Sequence, residues 1–82
     1  MDFEACLAAI RADVAEVLAM ELDRTHDEIS LLELGADSLT MLEIGARLRD
    51  RHGLAVTTST LYEANTIDAL AELAVAADQG RR

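Results

Sequence analysis

The chain alternates between stretches with apolar residues at helical spacing and stretches in which polar residues predominate. In the first stretch, over roughly residues 2–20, apolar residues recur every three or four positions, as they do on one face of a helix. These residues are Phe3, Leu7, Ile10, Val14, Val17 and Leu18. The pattern predicts a first helix over this range.

Residues 21–36 are mostly polar and predict a long loop between two helices. Ser30 and Glu33 have the spacing of a capping box, which predicts a short helical turn within this loop. Loops of this length need anchors in the core. We expect the anchoring side chains to be Ile29, Leu32 and Leu34.

The stretch from about Ser38 to His52 predicts a second helix with apolar residues on two sides. At about 100° per residue, one set faces the core and comprises Met41, Ile44 and Leu48. The other set lies on the side of Ser38 and comprises Leu39, Leu42 and Ala46. We expect this second set to be partly exposed, either as the edge of a wide core stripe or as a docking face for partner proteins. Glu43 and Arg47 predict an ion pair on the solvent side.

Glycine readily closes helices, so Gly53 predicts the end of the second helix, and an extended segment follows it. Residues 57–60 offer caps for a short third helix that carries Leu61 and Tyr62. Apolar residues at helical spacing then predict a fourth helix that runs to about Ala77. Residues 80–82 are expected to form a frayed tail.

Composition favours an all-helical fold. The 82 residues include thirteen leucines, whereas Phe3 and Tyr62 are the only aromatic residues. Leucine and alanine suit closely packed helices better than a sandwich of sheets. We therefore predict one domain, residues 1–82, folded as an all-α four-helix bundle with three longer helices and one short helix.

The formal net charge of −9 is unevenly distributed along the chain. Residues 1–37 contain ten acids against Arg11 and Arg24, whereas residues 38–82 contain six acids against five arginines. An acidic surface repels nucleic-acid backbones and anionic lipid headgroups, so neither is an expected partner. All seven basic residues are arginine, a bias that suggests a GC-rich bacterial genome.

Cys6, His26 and His52 are the residues that could suggest reactive or metal-binding chemistry. A single cysteine forms neither an intramolecular disulfide nor a cysteine metal cluster, and we expect Cys6 to be an apolar filler. We interpret His26 as a solvated loop residue and His52 as a residue that balances the helix dipole. No metal site is predicted.

The acidic amino terminus and the absence of a long apolar run argue against a signal peptide and a membrane span. The sequence therefore predicts a soluble cytoplasmic protein.

The motif that carries chemistry lies at the start of the second predicted helix, where residues 34–39 read LGADSL. Gly35 permits backbone angles that other residues resist, and Asp37 can accept a hydrogen bond from the free amides of the first turn. Ser38 is therefore expected on the surface at the start of a helix.

This motif is followed by RLRDRHGL and later by TLYEANTIDALAELA, an order that resembles the acyl and peptidyl carrier proteins. The resemblance extends from about Phe3 to Ala77 and implies that the predicted four-helix bundle is of the acyl-carrier type. It implies that Ser38 receives phosphopantetheine from coenzyme A and that the arm holds acyl or aminoacyl groups as thioesters. The chain departs from the family in lacking a proline before the short helix and at Asn65, which affects loop ends but not Ser38.

The resemblance further implies a monomeric protein that is not an enzyme. Its implied partners are a phosphopantetheinyl transferase and the enzymes that load, condense or tailor the carried group. The implied partner-binding residues are Asp37, Leu39, Leu42 and Ala46. The TLYEANTIDALAELA segment is closer to carriers of modular polyketide and nonribosomal-peptide biosynthesis than to the fatty-acid type, and the sequence leaves the choice between these two pathways open.

Three alternatives account for less of the sequence than a carrier of this kind. A fatty-acid carrier would have an acidic second helix, whereas this helix carries Arg47, Arg49 and Arg51. An enzyme with Ser38 as nucleophile would need a Gly-x-Ser-x-Gly elbow and a partnered histidine, and neither is evident. A small helical adaptor would explain GADSL alone as a helix cap, but not the ordered resemblance along the chain. Met1 and the short tail suggest a free-standing protein, although an excised domain would look the same.

Overall fold

The computed structural model describes residues 2–79 and shows four α-helices with no strand in that range. The helices are α1 (Phe3–Leu18), α2 (Ser38–His52), α3 (Thr58–Glu63) and α4 (Ile67–Gln79). This architecture confirms the predicted all-α bundle of three longer helices and one short helix. The predicted tail at residues 80–82 lies outside the described residues. None of the helices within residues 2–79 is long and apolar enough to cross a membrane.

The helix ends follow from local capping chemistry. The Asp2 side chain accepts a hydrogen bond from the Ala5 amide at 2.7 Å and begins α1. Gly53 ends α2 in the left-handed conformation (φ 63°), as predicted. The Thr57 hydroxyl accepts a hydrogen bond from the Thr60 amide and begins α3. Each of these ends is therefore fixed by a residue at or beside the end itself.

One apolar core joins the four helices. α1 packs against α4 and α2, and α3 packs against α2. The largest fully buried side chains come from three helices and the long loop: Ile10, Val14, Leu31, Met41, Ile44, Leu48, Ile67 and Leu70. Cys6 is buried in the same core, in agreement with its prediction as an apolar filler.

The anchoring of the long loop between α1 and α2 differs from the prediction. Leu31 is fully buried and its amide donates to the Asn65 carbonyl at 2.7 Å, whereas the Leu32 side chain is 45% exposed. The prediction that Leu32 anchors the loop is therefore wrong. Residues 31–35 form hydrogen-bonded turns, in which the Leu34 amide donates to the Ser30 carbonyl at 3.0 Å, in agreement with the predicted short helical turn. A separate 3₁₀ turn forms over Arg24–His26.

Asp27 provides a second anchor for this loop. Both of its carboxylate oxygens accept hydrogen bonds from Arg11 of α1, at 2.8 and 2.6 Å, and its backbone carbonyl accepts one from the Asp68 amide of α4. The Asp27 carboxylate raises the pKa of the Arg11 guanidinium, since it bonds to the charged form. The loop is therefore tied to both α1 and α4.

Ion pairs also join α1 to the carboxyl-terminal half of α2. Buried Asp13 accepts hydrogen bonds from Arg51 at 2.7 Å and from His52 Nε2 at 2.8 Å. His52 thus binds a carboxylate of another helix, a role beyond the predicted balance of the helix dipole. Arg47 pairs with Glu16 of α1, so the predicted pair with Glu43 is wrong.

Candidate functional site

The turn before α2 determines where Ser38 lies. Gly35 has a φ of 112°, a conformation that side chains with a Cβ rarely adopt. The Gly35 amide donates to the Leu32 carbonyl at 3.1 Å, and the Ala36 amide donates to the Leu31 carbonyl at 3.0 Å. Because Leu31 and Ala36 are both buried, the turn is held against the core directly before the helix begins.

Asp37 and Thr40 form a reciprocal cap at the start of α2. The Asp37 carboxylate accepts a hydrogen bond from the Thr40 amide at 2.9 Å, and the Thr40 hydroxyl accepts one from the Asp37 amide at 2.7 Å. The bonds donated by the Thr40 amide and hydroxyl lower the pKa of Asp37, because they stabilise its charged form. The predicted capping role of Asp37 is confirmed, and Thr40 is the reciprocal partner that the sequence interpretation did not name.

Ser38 is the first residue of α2, and its side chain is exposed. Within residues 2–79 its hydroxyl has no hydrogen-bond partner, so it is open to reaction with a molecule from solution. The amino-terminal end of a helix also favours a nearby negative charge, because the helix dipole and the free amides are directed toward it.

Neither histidine is placed to activate the Ser38 hydroxyl. His52 ends the same helix, and at about 1.5 Å per residue the fourteen intervening steps separate the two residues by about 21 Å along the axis. His26 Nδ1 accepts a hydrogen bond from the Asp23 amide at 3.0 Å within the 3₁₀ turn. The described residues also contain no group of three or more potential metal ligands. Within the described residues, neither histidine is therefore bonded to the Ser38 hydroxyl, which is exposed to solvent.

The apolar side chains next to Ser38 on α2 are exposed, as predicted. Leu39 is 67% exposed and Leu42 is 58% exposed, whereas Ala46 is partly buried. The opposite set, Met41, Ile44 and Leu48, is buried in the core. We refer to Leu39, Leu42 and Ala46 as the Ser38 face. Exposure of this face is established, whereas its use by partners stays a prediction.

A groove between α2 and α3 borders the Ser38 face and was not predicted from the sequence. It has a volume of about 410 Å³ and includes Leu42 and Ala46 of the Ser38 face. Arg49 of α2 and Leu61 of α3 also line it, together with Val56 from the segment between the helices. Helical periodicity indicates one side of this groove, but the other side depends on where α3 packs.

Comparison with known protein families assigns the chain to one of them. The family defined by the phosphopantetheine attachment site matches residues 8–74, a region that contains the Gly35 turn and all of α2. The chain belongs to this family. Phosphopantetheine is thus the cofactor of this carrier domain, as the sequence resemblance implied.

Relatives of this carrier domain occur within much larger proteins. It is 41% identical over 69 residues to phenyloxazoline synthase MbtB of Mycobacterium tuberculosis strain H37Rv, a match that covers 84% of this chain and 5% of that protein. It is also 41% identical over 69 residues to polyketide synthase GfsA of Streptomyces halstedii, which covers 83% of this chain and 1% of that protein. The chain therefore spans only a small part of these relatives.

A solved structure matches nearly the whole carrier domain. It is the crystal structure of a free-standing peptidyl carrier protein from an uncharacterized Acinetobacter baumannii secondary metabolic pathway. The match has a TM-score of 0.82 and 30% sequence identity, and it covers 95% of this chain and 98% of that one. The predicted carrier-type fold is therefore confirmed.

Proposed function

We propose that Ser38 carries the phosphopantetheine arm and that the protein holds acyl or aminoacyl groups on this arm as thioesters. The observation that carries this proposal is the position of Ser38, an exposed and unbonded hydroxyl at the first residue of α2 within the matched attachment-site region. The helix terminus also suits the negative charge of a phosphodiester.

The attachment reaction joins the Ser38 Oγ to the phosphorus of coenzyme A that bears the pantetheine. A phosphorus–oxygen bond forms at Ser38 while the bond to the bridging oxygen breaks, and adenosine 3′,5′-bisphosphate leaves with that electron pair. The serine proton passes to a base of the transferase, since both histidines of the chain are engaged elsewhere.

We further propose that the chain catalyses no step itself and that its partners supply the chemistry. These partners are a phosphopantetheinyl transferase and the enzymes that load, condense or tailor the carried group. The names polyketide synthase and nonribosomal peptide synthetase among its relatives support these two pathway types. The proposed contact residues are Asp37 and the Ser38 face, which includes two exposed leucines.

The proposal also describes a monomer that acts in the cytoplasm. The net charge of −9 supports the monomeric state, because a high net charge of one sign opposes self-association.

Mass spectrometry tests the attachment directly. Incubation with coenzyme A and a broad-specificity phosphopantetheinyl transferase should add one phosphopantetheine group to the protein and none to the Ser38→Ala variant. Ser59→Ala is the matched control, because Ser59 is also an exposed serine in the first turn of a helix, α3. An unmodified wild type, or a modified Ser38→Ala, would contradict the proposal.

A further inference from the structure

Thr40 holds the residue that precedes Ser38 through several atoms at once. Its hydroxyl accepts a hydrogen bond from the Asp37 amide at 2.7 Å, and its own amide donates to Asp37 Oδ1 at 2.9 Å. The hydroxyl also lies 3.1 Å from both the carbonyl oxygen and Oδ1 of Asp37, and it can donate its proton to either atom. No other side chain within residues 2–79 bonds to Asp37. The Asp37 amide therefore depends on Thr40 for its partner.

These bonds restrain the peptide unit that leads into Ser38. The Asp37 carbonyl, which belongs to that unit, also accepts a hydrogen bond from the Met41 amide at 2.9 Å. The backbone before Asp37 is fixed as well, because Ala36 is buried and its amide donates to the Leu31 carbonyl. Helix ends otherwise fray, and a frayed first turn would spread the Ser38 hydroxyl over many positions. Ser38 instead follows a backbone that is held from both directions.

A comparison of helix starts shows that this restraint distinguishes α2. Thr60 of α3 has the same place relative to its cap, Thr57, as Thr40 has relative to Asp37, and its amide donates to the Thr57 hydroxyl at 3.1 Å. The Thr60 hydroxyl, however, bonds to the Thr57 side chain and not to the Thr57 amide. In α1 and α4 the third helical residue is an alanine, which has no group to reciprocate. Among the α-helices of residues 2–79, only the one that begins with Ser38 has a reciprocal cap.

We propose that Thr40 is a positioning residue for the attachment reaction and that its hydroxyl fixes the backbone from which Ser38 Oγ attacks the phosphorus of coenzyme A. The inference rests on the proposed attachment at Ser38. Thr40 acts through Asp37 and does not itself touch the reacting atoms. The exposed Ser38 side chain has no bond of its own within residues 2–79 that would orient it, so the backbone must do so. A displacement of about 1 Å between reacting groups can lower a rate about 100-fold.

Single-turnover kinetics of attachment test this role. Thr40→Val removes the hydroxyl while keeping the shape of the side chain and the bond from its amide. With transferase in excess over the unmodified protein, the rate of attachment at saturation should fall about 10- to 100-fold. The transferase concentration that gives half of this rate should change little, because Asp37 and the Ser38 face are intact. Exchange of the Asp37 amide with deuterium, followed by NMR, should be faster in this variant.

Three further variants separate positioning from a general loss of stability. Thr40→Ser restores the hydroxyl and should recover most of the rate and the slower amide exchange. Thr60→Val removes the hydroxyl at the same place in α3 and should keep the wild-type rate. Urea unfolding checks that each variant is folded under the assay conditions, and Thr40→Ala, with its higher helix propensity, provides the same comparison if Thr40→Val is not.

The possible results distinguish this inference from the proposed function. Equal rates for the wild type and Thr40→Val, a loss that Thr40→Ser does not recover, or an equal loss in Thr60→Val would overturn the inference while leaving attachment at Ser38 intact. A change confined to the half-saturating concentration would also overturn it and would make Thr40 a contact of the transferase. A wild type that is never modified would overturn the proposed function and this inference together.

Discussion

Asp37 and Ser38 are adjacent, but they serve different purposes at the start of α2. Asp37 satisfies the Thr40 amide, which would otherwise lack a partner in the first turn. The backbone of Ser38 is part of the helix, whereas its side chain is exposed. The cap thus holds the backbone in place while the next residue keeps a reactive group available to solvent.

The Asp37 cap predicts a pH dependence of stability. Its pKa is lowered in the folded protein because Thr40 donates to the charged carboxylate. A lowered folded pKa contributes stability that is present above the unfolded value, about 3.9, and is lost as pH falls through the folded pKa. We therefore expect the Asp37 contribution to disappear at pH values below about 4, as measured by urea unfolding across this range.

Asp37→Asn is the matched control for this prediction. Asparagine is also a good helix cap, but its side chain does not titrate. The variant should lose less stability than the wild type between neutral and acidic pH. Identical pH profiles for the two proteins would show that Asp37 does not contribute in this way.

At the scale of elements, α2 buries one apolar face and exposes another. Met41, Ile44 and Leu48 are almost completely buried, whereas Leu39 and Leu42 are more than half exposed. Burial of apolar area stabilises the fold, while exposed leucines contribute little and cost solubility. The Ser38 face therefore suggests a role other than stability.

We expect substitutions on the two faces of α2 to differ in their effect on the free energy of unfolding. Ile44→Ala removes a fully buried side chain and should cost about 2 to 5 kcal/mol. Leu42→Ala removes a mostly exposed one and should cost less than about 1 kcal/mol. Urea unfolding of both variants measures the difference, and a larger loss for Leu42→Ala would mean that Leu42 serves the fold.

At the scale of the whole molecule, the acidic side chains occupy two different environments. Asp13 and Asp27 are buried and bound to cations, so added salt screens their pairs only weakly. Other acids, such as Glu21 and Glu28, are exposed and have no ion pair within residues 2–79. The unpaired acids repel one another through solvent, where salt screens efficiently.

The melting temperature should therefore rise as sodium chloride increases from low concentration. The screening length falls from about 30 Å at 0.01 M to about 3 Å at 1 M, which removes dispersed repulsion while leaving the buried pairs largely intact. Exposed pairs such as Arg24 with Glu4 are worth no more than about 1 kcal/mol, so their loss should not reverse the trend.

The double variant Glu21→Gln/Glu28→Gln is the control for the predicted effect of salt on the melting temperature. It should melt at a higher temperature than the wild type at low salt and should respond less to added salt, because two repelling charges are gone. A melting temperature of the wild type that falls steadily with salt would show that attractive pairs dominate this surface.

The sequence by itself determined the helices, several of their ends and the two faces of α2. Asp37, Gly53 and Thr57 act within a few residues of their own positions, and the burial of Ile44 follows from helical periodicity. The position of Ser38 at a helix start also follows from such local chemistry. These features could be predicted because each depends on interactions between near neighbours in the chain.

Only the tertiary structure decided which distant side chains meet. Asp13 and His52 are 39 residues apart, and Arg11 and Asp27 are 16 apart, so no local pattern indicates either pair. The same applies to the burial of Leu31 in place of Leu32, to the pairing of Arg47 with Glu16 in place of Glu43, and to the groove between α2 and α3. The physical reason is that adjacent leucines and alternative charge partners have nearly equal local energies, and the choice between them is made by how α1, α3 and α4 pack against α2 and the long loop.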